Sequence, residues 1–255
     1  MNKNFNKFNK VVDVRLDAIK NRGGRLFVCS DIHGNMEAFI NLLNKEHFGD
    51  KDFMVVAGDC IDRGADGVAI LQYIRKNSDN FLFIKGNHEE LMIDAFDEML
   101  SKGKGSKTDL WFYNGGRVTY DALMTIGSEL PDLLNFVEDA PIVCRVVDGE
   151  KVVSYIAHAG LNRAWLSSLL NDKIPLDDNG YNAVTWAREE WWQSSNDLGV
   201  LTITGHTSTH HYDGGELGKP LLNGAKCRLL LDCCTRKTNK IGYAIVTVDR
   251  VYYAA

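Results

Sequence analysis

The sequence predicts a layered α/β fold of α+β type, a central β-sandwich of mixed sheets flanked by helices in four layers. Two observations carry this. In the amino-terminal half, short apolar runs alternate with segments whose apolar residues recur at helical spacing. Beyond residue 140 the chain turns to strand-like runs joined by short polar turns, which suggests a second, partly antiparallel sheet packed on the first.

Taken in order, residues 1–21 read as an amino-terminal extension. Met1 to Lys10 is rich in Asn and Lys and lacks the continuous apolar core of a signal peptide. Three strands follow, Arg25 to Cys29, Phe53 to Ala57 and Phe81 to Lys85. After them, Met36, Phe39, Ile40 and Leu43, then Val68, Ile70, Leu71 and Ile74, then Leu91, Met92, Ala95, Phe96 and Met99 mark three helix faces. Residues 101–140 read as a helical insertion or cap, with a flexible turn from Lys102 to Lys107 and Pro131 near a helix start. Val143 to Val147 and Val152 to Ala157 flank Asp148-Gly149-Glu150 as a hairpin. A second helical stretch carries Trp186, Arg188, Trp191 and Trp192. Thr235 to Asn239 reads as a polar turn between the strands Arg228 to Leu231 and Tyr243 to Val248. A single domain over 1–255 is expected.

The net charge of −5 over 255 residues gives no broad basic surface, so a nucleic-acid polymer is not an expected partner. Any attraction for phosphate must be local. No apolar run approaches the roughly 20 residues that span a bilayer, so no membrane partner is expected and a cytoplasmic location is. The six cysteines read as reduced, four of them in or beside apolar runs where a thiol behaves as a small hydrophobe.

The chemistry lies just after the strands. Asp31-Ile32-His33-Gly34, Gly58-Asp59-Cys60-Ile61-Asp62-Arg63-Gly64 and Gly86-Asn87-His88-Glu89 each follow one, and His158 and His206 follow two more. Strand ends that bring Asp, His and Asn to one sheet edge build a two-metal hydrolytic site. Asp31 and His33, one residue apart, can turn to the same ion. Asp59 can give one oxygen to each of two ions, and Asn87, His158 and His206 can complete the second. Carboxylate, amide and imidazole together suit Mn²⁺, Fe²⁺ or Zn²⁺ better than calcium. Taken singly, each cluster has an ordinary explanation, such as a helix cap, a turn pair or a core histidine; together they do not. Trp186, Trp191 and Trp192 read as packing residues, and His47, His210 and His211 as surface residues.

In this order and spacing the motifs resemble the calcineurin-like metallophosphoesterase superfamily. Asp62-Arg63-Gly64 and His88-Glu89 are similar to its phosphoprotein (Ser/Thr) phosphatase family. Glu89-Glu90-Leu91-Met92 and Trp186-Ala187-Arg188-Glu189 look like the bacterial and bacteriophage branch. The resemblance implies two divalent metals, most simply Mn²⁺, with Fe or Zn as alternatives. Asp31, His33 and Asp59 would hold one, and Asp59, Asn87, His158 and His206 the other. It further implies that Arg63, Arg188 and Asn87 bind the phosphate, and that His88 protonates the leaving group with Asp62 orienting it. A metal-bridging hydroxide would attack phosphorus directly. Glu89 would support the ligands without being one. Gly205-His206-Thr207-Ser208 lacks the second histidine of the wider superfamily's Gly-His-x-His, which is what the narrower family looks like. The implied activity is a serine/threonine, or dual-specificity, protein phosphatase acting on a phosphorylated protein or small phosphoester. The alternative is a diadenosine tetraphosphate hydrolase, which shares the metal clusters but usually has Asp where Glu89 stands.

Overall fold

Alternation along Leu26–Cys29 sets the architecture. Leu26 and Val28 face one apolar core, while Phe27 and Cys29 face another, because successive strand side chains point to opposite sides. The computed structural model describes residues 10–171 and 173–255. The strands are β1 (Val11–Arg15), β2 (Leu26–Cys29), β3 (Phe53–Ala57), β4 (Phe81–Ile84), β5 (Val143–Asp148), β6 (Lys151–Ala157), β7 (Leu201–Thr204), β8 (Leu221–Asn223), β9 (Arg228–Leu230), β10 (Tyr243–Val246) and β11 (Val251–Ala254). They form a six-stranded sheet in the order β1-β5-β6-β7-β9-β8 and a five-stranded sheet in the order β11-β10-β2-β3-β4. Both are mixed, as the sequence predicts.

Val28, Val55, Ala57 and Ala244 of the five-stranded sheet meet Val146, Ile156, Ile203 and Leu229 of the other in the sandwich core. Outside the five-stranded sheet, Phe27, Met54, Val56 and Phe83 pack under the helices Met36–Lys45, Gly67–Lys76 and Asn87–Lys102. Outside the six-stranded sheet, Val143, Tyr155 and Ala157 pack against Leu161, Leu169 and Val184. Helices, sheet, sheet, helices are the four layers.

The amino-terminal extension is corrected in part. Residues 1–9 lie outside the described residues, but Val11–Arg15 is a sheet strand parallel to β5, and Leu16–Asn21 is a helix. Asp13 pairs with Arg145, 132 residues away, and no local pattern announces so distant a neighbour. Thr235 to Asn239 is also corrected: Thr235–Thr238 is one helical turn, entered from Cys234 and left at Asn239, both left-handed. The segment 101–140 is helical, with helices Ser106–Trp111, Arg117–Leu123 and Leu130–Glu138. Trp111, Leu123, Leu133 and Val137 join the helix-side core. The six cysteines are unpaired. Among the described residues no helix is long and apolar enough to cross a membrane.

Candidate metal centre

β2, β3 and β4 run parallel, as do β6, β7 and β9. Parallel strands end on the same side, so the residues that follow them collect at one edge of the sandwich. Cross-loop bonds fix that edge. His33 N donates to Asp59 O (2.9 Å), Gly34 N to Cys60 O (2.8 Å) and Gly205 N to His158 O (2.7 Å). Two glycines permit the close approach. A Cβ on Gly58 would stand 2.6 Å from both Gly86 Cα and His158 Nδ1, and one on Gly205 would stand 1.9 Å from Asp31 Oδ2.

The backbone here is strained. Asp31 (φ 55°), His33 (49°), Asp59 (54°), Asp62 (69°), Arg63 (69°) and His206 (70°) are all left-handed. Each such non-glycine residue costs about 1–3 kcal/mol, and persists only where the surroundings over-determine it. Strain of this kind concentrates at functional sites, and six such residues here bracket one spot.

Asp59 lies at the middle of that spot. His33, Asp59 and His88 offer ligand atoms all within 4.8 Å of one another, and so do Asp59, His158 and His206. Asn87 joins the second group, its Oδ1 2.9 Å from His158 Nε2 and 3.0 Å from His206 Nδ1. His158 Nδ1 donates to Ala57 O (2.8 Å), so a neutral His158 turns a lone pair toward Asn87 Oδ1 and toward Asp59 Oδ1, 3.3 Å away. Lone pairs converging without hydrogens between them call for a cation. In the protein alone a proton meets that demand: burial would pull His158 down, but Asp59 and Asp31 outweigh it and hold the imidazole at about 10. Burial, reinforced by neighbouring imidazoles, keeps His33 and His206 well below the usual range. They therefore stay neutral, the form that binds metal. The donor set fits two divalent ions around Asp59.

Asp31 is placed differently from the other five expected ligands. It falls in neither three-residue group. Its Oδ2 accepts from Ser30 Oγ (2.5 Å) and from His206 N (3.0 Å). Burial raises its carboxyl well above the usual range, helped by Asp232. Asp232 follows β9 at the same edge and is itself buried; its position after Arg228 to Leu231 was the signal available in the sequence.

Within the first group His88 has a second partner, and Arg63 stands against both of the group's imidazoles. His88 Nδ1 lies 2.7 Å from Asp62 Oδ2. Burial lowers the His88 imidazole, yet the charges of Asp59 and Asp62 more than offset that and raise it. Arg63 Nη1 donates to His33 Nε2 (2.6 Å) and its Nη2 to His88 Nε2 (2.9 Å). Asp62 is held in turn by Thr119 Oγ1 (2.7 Å) and Trp111 Nε1 (3.0 Å), both from the 101–140 segment and both missed by sequence reasoning. Glu89 touches none of the ligand side chains by hydrogen bond; it accepts from the backbone N–H groups of Asp59 (3.0 Å), Cys60 (2.8 Å) and Gly86 (2.9 Å). Arg188 is exposed, its Nη1 donating to Thr207 Oγ1 (3.1 Å), the residue after His206.

Comparisons agree with this geometry. The chain is 28% identical over 141 residues, 55% of its length and 46% of the relative's, to the symmetrical bis(5'-nucleosyl)-tetraphosphatase of Buchnera aphidicola. It is 30% identical over 135 residues to serine/threonine-protein phosphatase 2 of Escherichia coli, covering 52% of this chain and 57% of that one. The chain thus spans about half the length of the curated relatives it matches. A putative diadenosine tetraphosphatase shares the fold at TM-score 0.61 and 15% identity, covering 97% and 98% of the two chains. A cold-active protein-tyrosine phosphatase of a Shewanella species does so at TM-score 0.61 and 17%, covering 96% and 79%. The calcineurin-like phosphoesterase profile matches residues 24–232, a stretch that runs from β2 to Asp232 and holds every candidate site residue. The chain belongs to the calcineurin-like phosphoesterase family.

Proposed function

We propose that this protein is a metal-dependent phosphomonoester hydrolase acting on phosphoserine and phosphothreonine in proteins. The observation that carries the reading is two groups of potential ligands that share Asp59, the first of which contains His88, paired with Asp62 and bonded by Arg63. Asp59, His33 and Asp31 would hold one ion, and Asp59, Asn87, His158 and His206 the other. Manganese is the expected occupant, and iron or zinc suits the same donors. Bound there, the ions supply Lewis acidity to the attacking water and to the phosphate oxygens.

The chain's own side chains do the rest. Arg63 exchanges its two imidazole partners for phosphate oxygens, with Arg188 reaching in from beside His206; fork-shaped guanidinium contacts suit a phosphoryl group. Departure of Arg63 also frees His88 Nε2. A protonated Nε2 and the guanidinium cannot both donate along one 2.9 Å line. Once free, Nε2 can carry the proton to the leaving oxygen, while Asp62 holds Nδ1–H and supports the imidazolium. Asn87 contributes its side chain at the phosphate as well as at the metal.

Hydrolysis of diadenosine tetraphosphate is the second reading, favoured by the Buchnera relative and supported no less by sequence similarity. Glu89 weighs less between the two than its place in the motif suggests, because its carboxylate faces backbone N–H groups and not the open cleft. The test is hydrolysis by chelator-stripped, Mn²⁺-restored protein, read in parallel as phosphate freed from a phosphothreonine peptide and as nucleotide formed from diadenosine tetraphosphate. Preference for the peptide supports the protein-phosphatase reading. Preference for the dinucleotide overturns it while leaving the metal assignments in place.

A further inference from the structure

Glu90 sits one residue beyond Glu89 on the helix Asn87–Lys102, yet its side chain turns to another element. Its Oε2 accepts from Thr185 Oγ1 (2.7 Å) and from Trp186 Nε1 (3.0 Å). Both donors lie on the four-residue helix Ala183–Trp186, which leads through Ala187 straight to Arg188. Burial pushes the Glu90 carboxyl up to about 7 even though both donors and Lys85 oppose that shift. A carboxylate kept in such a place carries a desolvation cost that packing alone would not impose.

The segment it holds is otherwise lightly tied to the metal edge. Val184 O accepts from Ala159 N (3.0 Å) and Gly160 N (3.1 Å). Gly160 lets Ala187 and Trp191 come so close that an added Cβ would stand 2.8 Å from each. Those contacts fix the depth of the segment against the strand that ends in His158. Its rotation is set at Trp186, whose ring packs at a tilt on Tyr181 with centroids 4.5 Å apart and meets His206 edge-on at 6.1 Å. Glu90 bonds the indole nitrogen of that ring.

We infer that Glu90 is a positioning residue: it locks the Thr185–Trp186 turn so that Arg188 stands beside the His206 end of the metal edge. This rests on the proposed phosphatase reading, in which Arg188 binds phosphate. Glu90 reaches the reaction through Arg188 and not through the metals, although it shares a helix with Asn87 and His88.

The test uses full-length, Mn²⁺-loaded protein carrying Glu90→Ala, Glu90→Gln, Trp186→Phe, Arg188→Ala or the Glu90→Ala/Arg188→Ala pair. An aryl phosphomonoester reports KM and kcat, and inorganic phosphate binding is measured by calorimetry beside it. Glu90→Ala is expected to raise KM and the phosphate Kd about tenfold with metal content unchanged, and to add less than about twofold once Arg188 is already alanine. Glu90→Gln, which keeps an acceptor oxygen, should fall between wild type and Glu90→Ala. Trp186→Phe keeps an aromatic ring but removes the indole N–H together with part of the ring, and should weaken phosphate binding in the same direction even if Glu90→Ala fails to fold. Independent, multiplying effects of Glu90→Ala and Arg188→Ala would overturn the inference, as would loss of metal from Glu90→Ala. Absence of turnover in every protein would count against the phosphatase reading instead, and the phosphate affinities would still decide this one.

Discussion

Asp62 Oδ2 lies 2.7 Å from His88 Nδ1, and the same carboxylate is gripped from the side by Thr119 and Trp111, 57 and 49 residues further along the chain. The helical segment after residue 100 is thus a brace for the His–Asp pair as well as a cover for the helix-side core. Gly115, at φ 99° in the kink between the helices Ser106–Trp111 and Arg117–Leu123, accepts from Arg63 N (3.1 Å) and extends that brace to the arginine. Only glycine adopts such a φ without strain.

His88→Ala removes the proposed acid and leaves Asp31, His33, Asp59, Asn87, His158 and His206, the proposed ligands, in place. Turnover is expected to fall about 10²–10⁴-fold, with metal content, read by elemental analysis after dialysis, near that of wild type. Loss of both ions would make His88 a ligand.

Asp59→Asn replaces the one carboxylate common to both ligand groups. Activity should be abolished and metal content should drop at both sites together. A variant that keeps two ions and turns over would end the bridging assignment.

Thr119→Val deletes the hydroxyl that bonds Asp62 Oδ1 and accepts from Asp62 N. Leaving those buried groups unpaired should cost about 1–3 kcal/mol in urea unfolding. It should also lower kcat more than it raises KM, since the defect acts on the orientation of His88. An equal rise in KM alone would place the effect on phosphate binding.

Glu89→Gln keeps the size of the side chain but presents an NH₂ to backbone N–H donors of Asp59, Cys60 and Gly86. Supporting contacts of this kind typically govern about 10–100-fold in metal affinity. Titration with Mn²⁺ should show a weakening of that order, and undiminished affinity would reduce Glu89 to a packing residue.

Metal removal should lower thermal stability, because ligands that bind only the folded chain stabilise it by mass action, about 2.7 kcal/mol at a hundredfold excess over Kd. For a domain of this size that is a fall of about 5–10 °C in Tm. The six left-handed residues of the metal edge should be the first to lose hydrogen-exchange protection.

What the sequence by itself determined was local. Each ligand motif directly follows an apolar run, so a few residues of context were enough to put Asp31, Asp59, Asn87, His158 and His206 at strand ends. Period-two and helical spacing were enough to place the layers. The fold then decided what no window of sequence holds. β1 pairs with β5 within one sheet from well over a hundred residues away, and Asp232 arrives beside Asp31 from the end of β9. Thr119 and Trp111 reach Asp62, and Glu90 reaches Thr185 and Trp186, 95 and 96 residues away. Such partners are ordinary residue types in ordinary helices. Their roles come from proximity made by chain folding, since a hydrogen bond depends on atoms within about 3 Å and not on the residues that precede them.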